Sequence, residues 1–281
     1  MGITPIRKSV RTVAAALLVG GLLLAAPIRA SASVITQVGY GWDSCNDPTT
    51  SQMQTWWTYS DLIYYGVYIG GGDLGCQITH VNASWISTVL GQGWGLLPIW
   101  VGMQNPCAYK ELDHFSLNTA TAYQQGQQQA SDALSAWMSL HSDSNVPLDA
   151  DIEYDDGEND TSACRAAQQS YVEGWDEYLD TPPAQHPGVY TSSCAGYLDD
   201  LATISHPPNF IDAGNWTGIT HTSSISCIPS THWAHQQRHK QYLGPHSETH
   251  GGLKFTEVDD RCANTIVYET LPTIYDNTDC S

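Results

Sequence analysis

The sequence predicts an α/β protein: one (β/α)8 TIM-type barrel, stapled by disulfides. Three observations carry this. Eight short apolar runs recur along the chain, stretches of helical periodicity alternate with them, and the part after an N-terminal leader has the length of a single barrel. No G-x-G-x-x-G loop follows the first run, which disfavours an open dinucleotide-binding sheet. No linker, repeat or low-complexity tract divides the chain.

The leader comes first. Arg7, Lys8 and Arg11 precede an apolar stretch, Val13 to Ala26, and Ala30-Ser31-Ala32 offers a small-x-small cleavage site. The apolar stretch is shorter than the roughly 20 residues a spanning helix needs. Residues 1–32 therefore read as a secretory signal peptide, and 33–281 as the barrel. Removing 32 residues that carry four basic and no acidic side chains leaves 249 residues and takes the formal charge from −19 to −23. So acidic a chain, with 10 Lys+Arg against 29 Asp+Glu, is a poor nucleic-acid binder. The expectation is a secreted, extracellular monomer with no stable membrane insertion.

The expected strands are 36–42, 63–69, 95–101, 146–152, 188–190, 210–213, 232–234 and 254–258, rich in Val, Ile, Tyr and Trp. Helical spacing marks 83–90, 119–140 and 162–179; in the last, Tyr171, Val172, Trp175, Tyr178 and Leu179 lie close to the i, i+3, i+4, i+7 template. Such alternation implies parallel pairing through right-handed crossovers. All eight cysteines lie after the leader, with no CxxC pair. Four disulfides are expected, and among the 105 pairings that eight cysteines allow, sequence neighbours are preferred. Six of the eight closely follow a proposed strand, which puts them in the loops at the C-terminal face, where barrel enzymes keep their sites.

The chemistry concentrates at the end of the fourth strand. Asp149, Asp151 and Glu153 alternate with Ala150 and Ile152, so the three acids share one face, about 6.6 Å apart from one to the next. Carboxylates stacked this way repel when ionised, which raises the pKa of at least one. An acid kept protonated beside one kept charged is what glycosidic-bond cleavage needs. A calcium loop fits less well, because Tyr154 stands where an EF-hand needs Gly. Asp155 to Asp160 reads as a solvated acidic loop. Other strand ends add Asp43, Asp73, Gln104, Tyr190, Ser192, Asp212, Trp216, Gln236 and Asp259 to the same face. The excess of 10 Trp and 15 Tyr over 3 Phe suits half-exposed platforms for sugar, such as Trp42, Tyr190 and Trp216. His232, His235, His239, His246 and His250 form a His-rich stretch without an H-E-x-x-H pattern, and they are expected to be surface or supporting residues rather than metal ligands. No metal or cofactor is expected. The absence of a Gly-x-Ser-x-Gly elbow disfavours a serine hydrolase.

Gly41-Trp-Asp-Ser-Cys45, Val67-Tyr-Ile-Gly-Gly71, Leu97-Pro-Ile-Trp-Val-Gly102, Asp151-Ile-Glu-Tyr154 and Pro187-Gly-Val-Tyr190 occur in that order. This ordered set resembles the secreted bacterial glycoside hydrolase-like TIM-barrel family, which is itself similar to the glycoside hydrolase family twenty-five muramidases. Asp43, Asp151-Ile-Glu153, Trp233-Ala-His-Gln236 and Val258-Asp259 match the shared pattern. The resemblance implies Glu153 as general acid and Asp151 as the residue that orients an N-acetyl group or stabilises positive charge. Asp43 and Asp259 would line the cleft of a hydrolase of β-linked N-acetylated glycan such as peptidoglycan. Arg261 departs from the pattern, since the muramidases usually have Asn there. Two alternatives accompany this expectation. One is a catalytically inactive carbohydrate-binding barrel of the cell envelope. The other is a chitinase-like hydrolase using Asp149, Asp151 and Glu153, because D-x-D-x-E also occurs in family eighteen chitinases.

Overall fold

The computed structural model describes residues 33–108, 112–153, 161–182, 185–269 and 275–281. The proposed signal peptide and the acidic stretch 155–160 lie outside the described residues. Eight strands close into one barrel in sequential order. They are β1 (Ser33–Ser44), β2 (Tyr64–Gly70), β3 (Gly95–Trp100), β4 (Pro147–Asp151), β5 (His186–Ser192), β6 (Phe210–Gly214), β7 (Arg238–His250) and β8 (Leu253–Glu269). Between them run α1 (Thr50–Tyr59), α2 (Ala83–Gln92), α3 (Thr119–Leu140) and α4 (Ser162–Asp180). A 3-10 helix, Leu198–Thr203, takes the place of a fifth helix.

The expected strands agree with β1 to β6 within a few residues, and the three expected helices with α2 to α4. Helix α1 is an addition. Its sequence signal is a capping box, Thr49 accepting from the Gln52 amide while the Gln52 side chain accepts from the Thr49 amide. The last third requires correction. His232–Ala234 is a turn rather than a strand; Trp233 takes a φ of 47°, and its indole donates to the Pro208 carbonyl. The seventh strand is Arg238–His250, and the eighth is far longer than expected. Nor is every pairing parallel. β1 to β7 run in one direction, whereas β8 is antiparallel to both β7 and β1. The cause is local: Gly251 and Gly252, at φ of 59° and 80°, supply the two left-handed residues of a tight hairpin, which leaves no length for a crossover.

Two apolar compartments result. Outside the barrel, under α1, Trp42 packs against Trp56, Tyr65 and Phe255, with ring centroids 4.3, 4.7 and 5.4 Å away. Inside, Tyr64, Leu97, Phe210, Ala263 and Val267 fill the lower half. Gly41 and Gly188 make room for the large rings, since a Cβ on either would overlap Tyr64 or Phe210. Gly126 of α3 and Gly174 of α4 do the same between helices, because a Cβ on each would overlap a backbone carbonyl of the other helix. The four disulfides, Cys45–Cys76, Cys107–Cys164, Cys194–Cys227 and Cys262–Cys280, join sequence neighbours as expected. Three tie loops and helix starts around the C-terminal face. Cys262, expected in a loop, is within β8 and anchors the C-terminus.

Candidate active site

Above the apolar floor the barrel interior turns polar. Arg261, on β8, is 2% exposed and bonds Asp43 of β1 through Nε and Asp212 of β6 through Nη1. The Tyr68 hydroxyl donates to Asp43 Oδ1 at 2.7 Å. Asp149 of β4 is fully buried in the same layer, with neither carboxylate oxygen hydrogen-bonded. Burial raises its pKa to about 8; Arg261 opposes the rise and Asp43 adds to it. Asp149 therefore carries a proton at neutral pH, and the single guanidinium mainly balances Asp43 and Asp212. Beneath this layer His239 lies 3.2 Å from the Tyr64 hydroxyl, and burial lowers its pKa to about 3, which keeps it neutral.

One level higher, at the mouth, stand Asp151, Glu153 and Asp259. Asp151 is buried, and its carboxyl is pushed well up by burial first and then by Glu153 and Asp149, against the pull of Arg261. Glu153, at the rim, is the most open of the three. Its carboxyl is also raised, by loss of solvent and by Asp43, with Arg261 opposing. Asp259 pairs in register with Asp43 across β1 and β8 and is raised to about 8 by burial, then Asp43 and Glu153. Gln104 fixes the end of β4: its amide donates to the Gly102 and Asp151 carbonyls, and its Oε1 accepts from the Glu153 amide at 2.6 Å. A clamp on the backbone thus fixes the stretch of chain from which Asp151 and Glu153 project.

On the adjoining wall, where Tyr190 of β5 is the register partner of Asp151, Tyr190 Oη and Trp216 Nε1 both donate to Gln241 Oε1, at 2.8 and 2.7 Å. Trp216 is 61% exposed, a ring face open to a partner. Gln241 was missed in the sequence because it lies on β7, whose buried face carries His239 and Gln241 instead of an apolar run.

Asp43, Asp151, Glu153, Tyr190, Asp212, Trp216 and Asp259 thus converge on the C-terminal side of the barrel. Two others do not. Trp42 points outward and is completely buried among Trp56, Tyr65 and Phe255, so no sugar reaches it. The alternation of β1 explains this, since Asp43 faces inward and its neighbour must face out. Gln236 precedes β7 and lies at the N-terminal end, beside a cavity of about 80 Å³ lined by Arg238 and Asn264. Asp73 follows β2 at the C-terminal end, where its carboxylate accepts from the Asp113 amide at 3.0 Å.

Known proteins share this barrel. An uncharacterized B. stearothermophilus protein superposes with a TM-score of 0.52 at 18% identity, over 80% of this chain and 95% of that one. A family 25 glycosyl hydrolase from Bacillus anthracis superposes at 0.50 and 11%, over 81% and 89%. The modular autolysin LytC from Streptococcus pneumoniae, in complex with a synthetic peptidoglycan ligand, superposes at 0.52 and 11%, over 82% of this chain and 46% of that one. No curated protein matches in sequence. Residues 54–263, from α1 to the middle of β8, match the sequence profile of the Rv2525c-like, glycoside hydrolase-like domain, and the chain belongs to that family.

Proposed function

We propose that this chain is an exported, monomeric glycan hydrolase of the muramidase type, acting on the β-linked N-acetylated backbone of peptidoglycan without a cofactor. The observation that carries this reading is the pair Asp151 and Glu153, set at the end of β4 over the Arg261 layer, with both carboxyls raised. Glu153, at the open rim, is the general acid that protonates the leaving oxygen. Asp151, with Oδ1 free of hydrogen bonds, accepts from the substrate's acetamido N–H and turns its carbonyl oxygen toward the sugar's anomeric carbon. That oxygen attacks as the glycosidic bond breaks, and Glu153, now a carboxylate, activates the water that opens the resulting ring. The outcome is retention. Asp259 lines the cleft, Asp43 and Asp212 lie in the buried Arg261 layer beneath its floor, and the Tyr190–Gln241–Trp216 wall stacks a sugar ring. Residues 1–32 act as the export signal and 33–281 as the working domain. Four disulfides suit an oxidising compartment, and among the described residues no helix is long and apolar enough to cross a membrane.

The test is reducing-end release from cell-wall glycan by the parent and by Glu153→Gln. The variant is expected to lose a factor of about 10² to 10⁴ with unchanged folding; equal rates refute the assignment. Arg261 supports a second reading, a silent glycan-binding barrel, because its guanidinium engages Asp43 and Asp212 where the muramidases usually have Asn. Retention of the chain on insoluble wall glycan with no reducing ends released favours that reading.

A further inference from the structure

The His-rich stretch that the glycan site leaves unused becomes specific on the hairpin above the barrel. His246 and Glu248, two apart on β7, share one face with His250, and Asp260 lies next to them on β8. One ligand atom from each of His246, Glu248 and Asp260 lies within 4.8 Å of the other two. His246 Nε2 is 3.6 Å from Asp260 Oδ2. Asp260 is 8% exposed and its Oδ1 accepts no hydrogen bond; Glu248 Oε2 is buried and equally unpartnered. Buried carboxylate oxygens left bare are costly unless something cationic meets them. His250 Nε2 holds the other oxygen of Glu248 at 2.7 Å, the kind of outer hydrogen bond that orients a metal-ligating carboxylate. The Tyr242 hydroxyl steadies Asp260 in the same way.

A second His–carboxylate cluster shows the contrast. Glu173, Glu177 and His206 are also within reach of one another. There, however, Glu173 accepts from the Ser205 amide and faces His206 Nδ1, and Glu177 accepts from Tyr123. Its hydrogen bonds are made internally, and all three residues are part-exposed.

We propose that His246, Glu248 and Asp260 form a binding site for a divalent first-row transition metal of the Zn²⁺ class, which clips β7 to β8. One imidazole nitrogen with two carboxylates suits Zn²⁺ better than the all-oxygen shells of Ca²⁺ or Mg²⁺, and two negative ligands neutralise a dication. The ion lies on the outer side of the wall, since Asp260 faces away from the barrel while Asp259 and Arg261 on either side of it face in. The clip therefore fixes the stretch of β8 that presents both of them, and it does not depend on the glycan reading.

The test is calorimetric titration of the EDTA-stripped protein with Zn²⁺, together with its melting temperature. One equivalent is expected to bind and raise the melting temperature, with no comparable uptake of Mg²⁺ or Ca²⁺. His246→Ala should weaken Zn²⁺ binding by about tenfold or more, and His206→Ala should bind as the parent does. Glu248→Gln, nearly isosteric, carries the same expectation should His246→Ala fold poorly. No uptake, equal uptake of Ca²⁺, or Zn²⁺ binding that survives both hairpin substitutions overturns the proposal.

Discussion

Replacing Arg261 with Met should be the most damaging single change inside the barrel. The guanidinium is almost completely buried and bridges Asp43 and Asp212, themselves inaccessible to solvent. Met fills a similar volume but leaves two carboxylates without their cation, and Asp149 loses the charge that restrains its pKa. Breaking one side of a buried ion pair costs about 3–5 kcal/mol, because the remaining charge is stranded in a low-dielectric interior. A domain of this length loses about 2–4 °C per kcal/mol, so the melting temperature should fall by about 6–20 °C. Urea unfolding followed by tryptophan fluorescence, with the disulfides intact, gives the free energy directly. The combined variant Asp43→Asn/Arg261→Met/Asp212→Asn removes the stranded charges and should recover most of the loss, a strong departure from additivity. A single variant within about 1 kcal/mol of the parent would refute the account, since that is the worth of an exposed pair.

Trp42 and Trp216 should separate cleanly. Trp42→Ala is expected to cost about 3–5 kcal/mol through loss of core packing, whereas Trp216→Ala should leave unfolding unchanged and weaken glycan retention; the reverse pattern would put the sugar platform elsewhere. Gln241→Leu should cost about 1–3 kcal/mol by removing the shared acceptor of Tyr190 and Trp216, and it should weaken glycan binding with little change in the protonation behaviour of turnover. Asp149 and Asp259 are both raised to about 8 from an ordinary value of 3.8. Their folded state therefore holds protons that the unfolded chain releases, so their stabilisation is complete below about pH 4 and is lost as pH rises towards 8. The melting temperature should accordingly fall between pH 5 and pH 8, and a rise over that interval would contradict both assignments. Gly126→Ala should destabilise despite Ala's better helix propensity, because the added carbon meets the Tyr171 carbonyl of α4; unchanged stability would mean that the two helices can part without loss.

The parts of the fold that were legible in the sequence are those whose burial is apolar. β1 to β6, α2 and α4 announce themselves through aliphatic and aromatic residues at the period of their element, and α3 through Ala122, Ala130, Ala133 and Trp137. β7 does not, because its buried residues are Arg238, His239, Lys240 and Gln241. Arg238 and Lys240 are satisfied by carbonyls of the irregular segment just before the strand: Arg238 donates to the Thr222, Pro229 and His232 carbonyls, and Lys240 to that of Ser224. A strand made of such residues reads as a loop, and the nearby Trp233 mimics the strand that is missing. The site divides in the same way. Asp43, Asp151 and Glu153 could be found because strand alternation and clustered acids need no tertiary knowledge. Gln104 could be found only as a polar residue at a strand end; its role as a clamp on the β4 backbone depends on a contact 47 residues away. Trp42 and Gln236 failed for geometric reasons, one pointing out of the barrel and the other preceding its strand.

The order of the disulfides bears on how the chain is made. Each bridge joins consecutive cysteines, at separations of 31, 57, 33 and 18 residues, so none encloses or crosses another. A chain emerging N-terminus first can close each bridge as its second cysteine arrives, with no earlier bridge to be undone. The barrel has no such freedom: β1 stays without its β8 neighbour until the last strand is present. Two kinds of closure are thus separable along the chain. Covalent closure proceeds piecewise and early, whereas the cavity that gathers the acids forms only at the end, when β8 carries Arg261 in between Asp43 and Asp212.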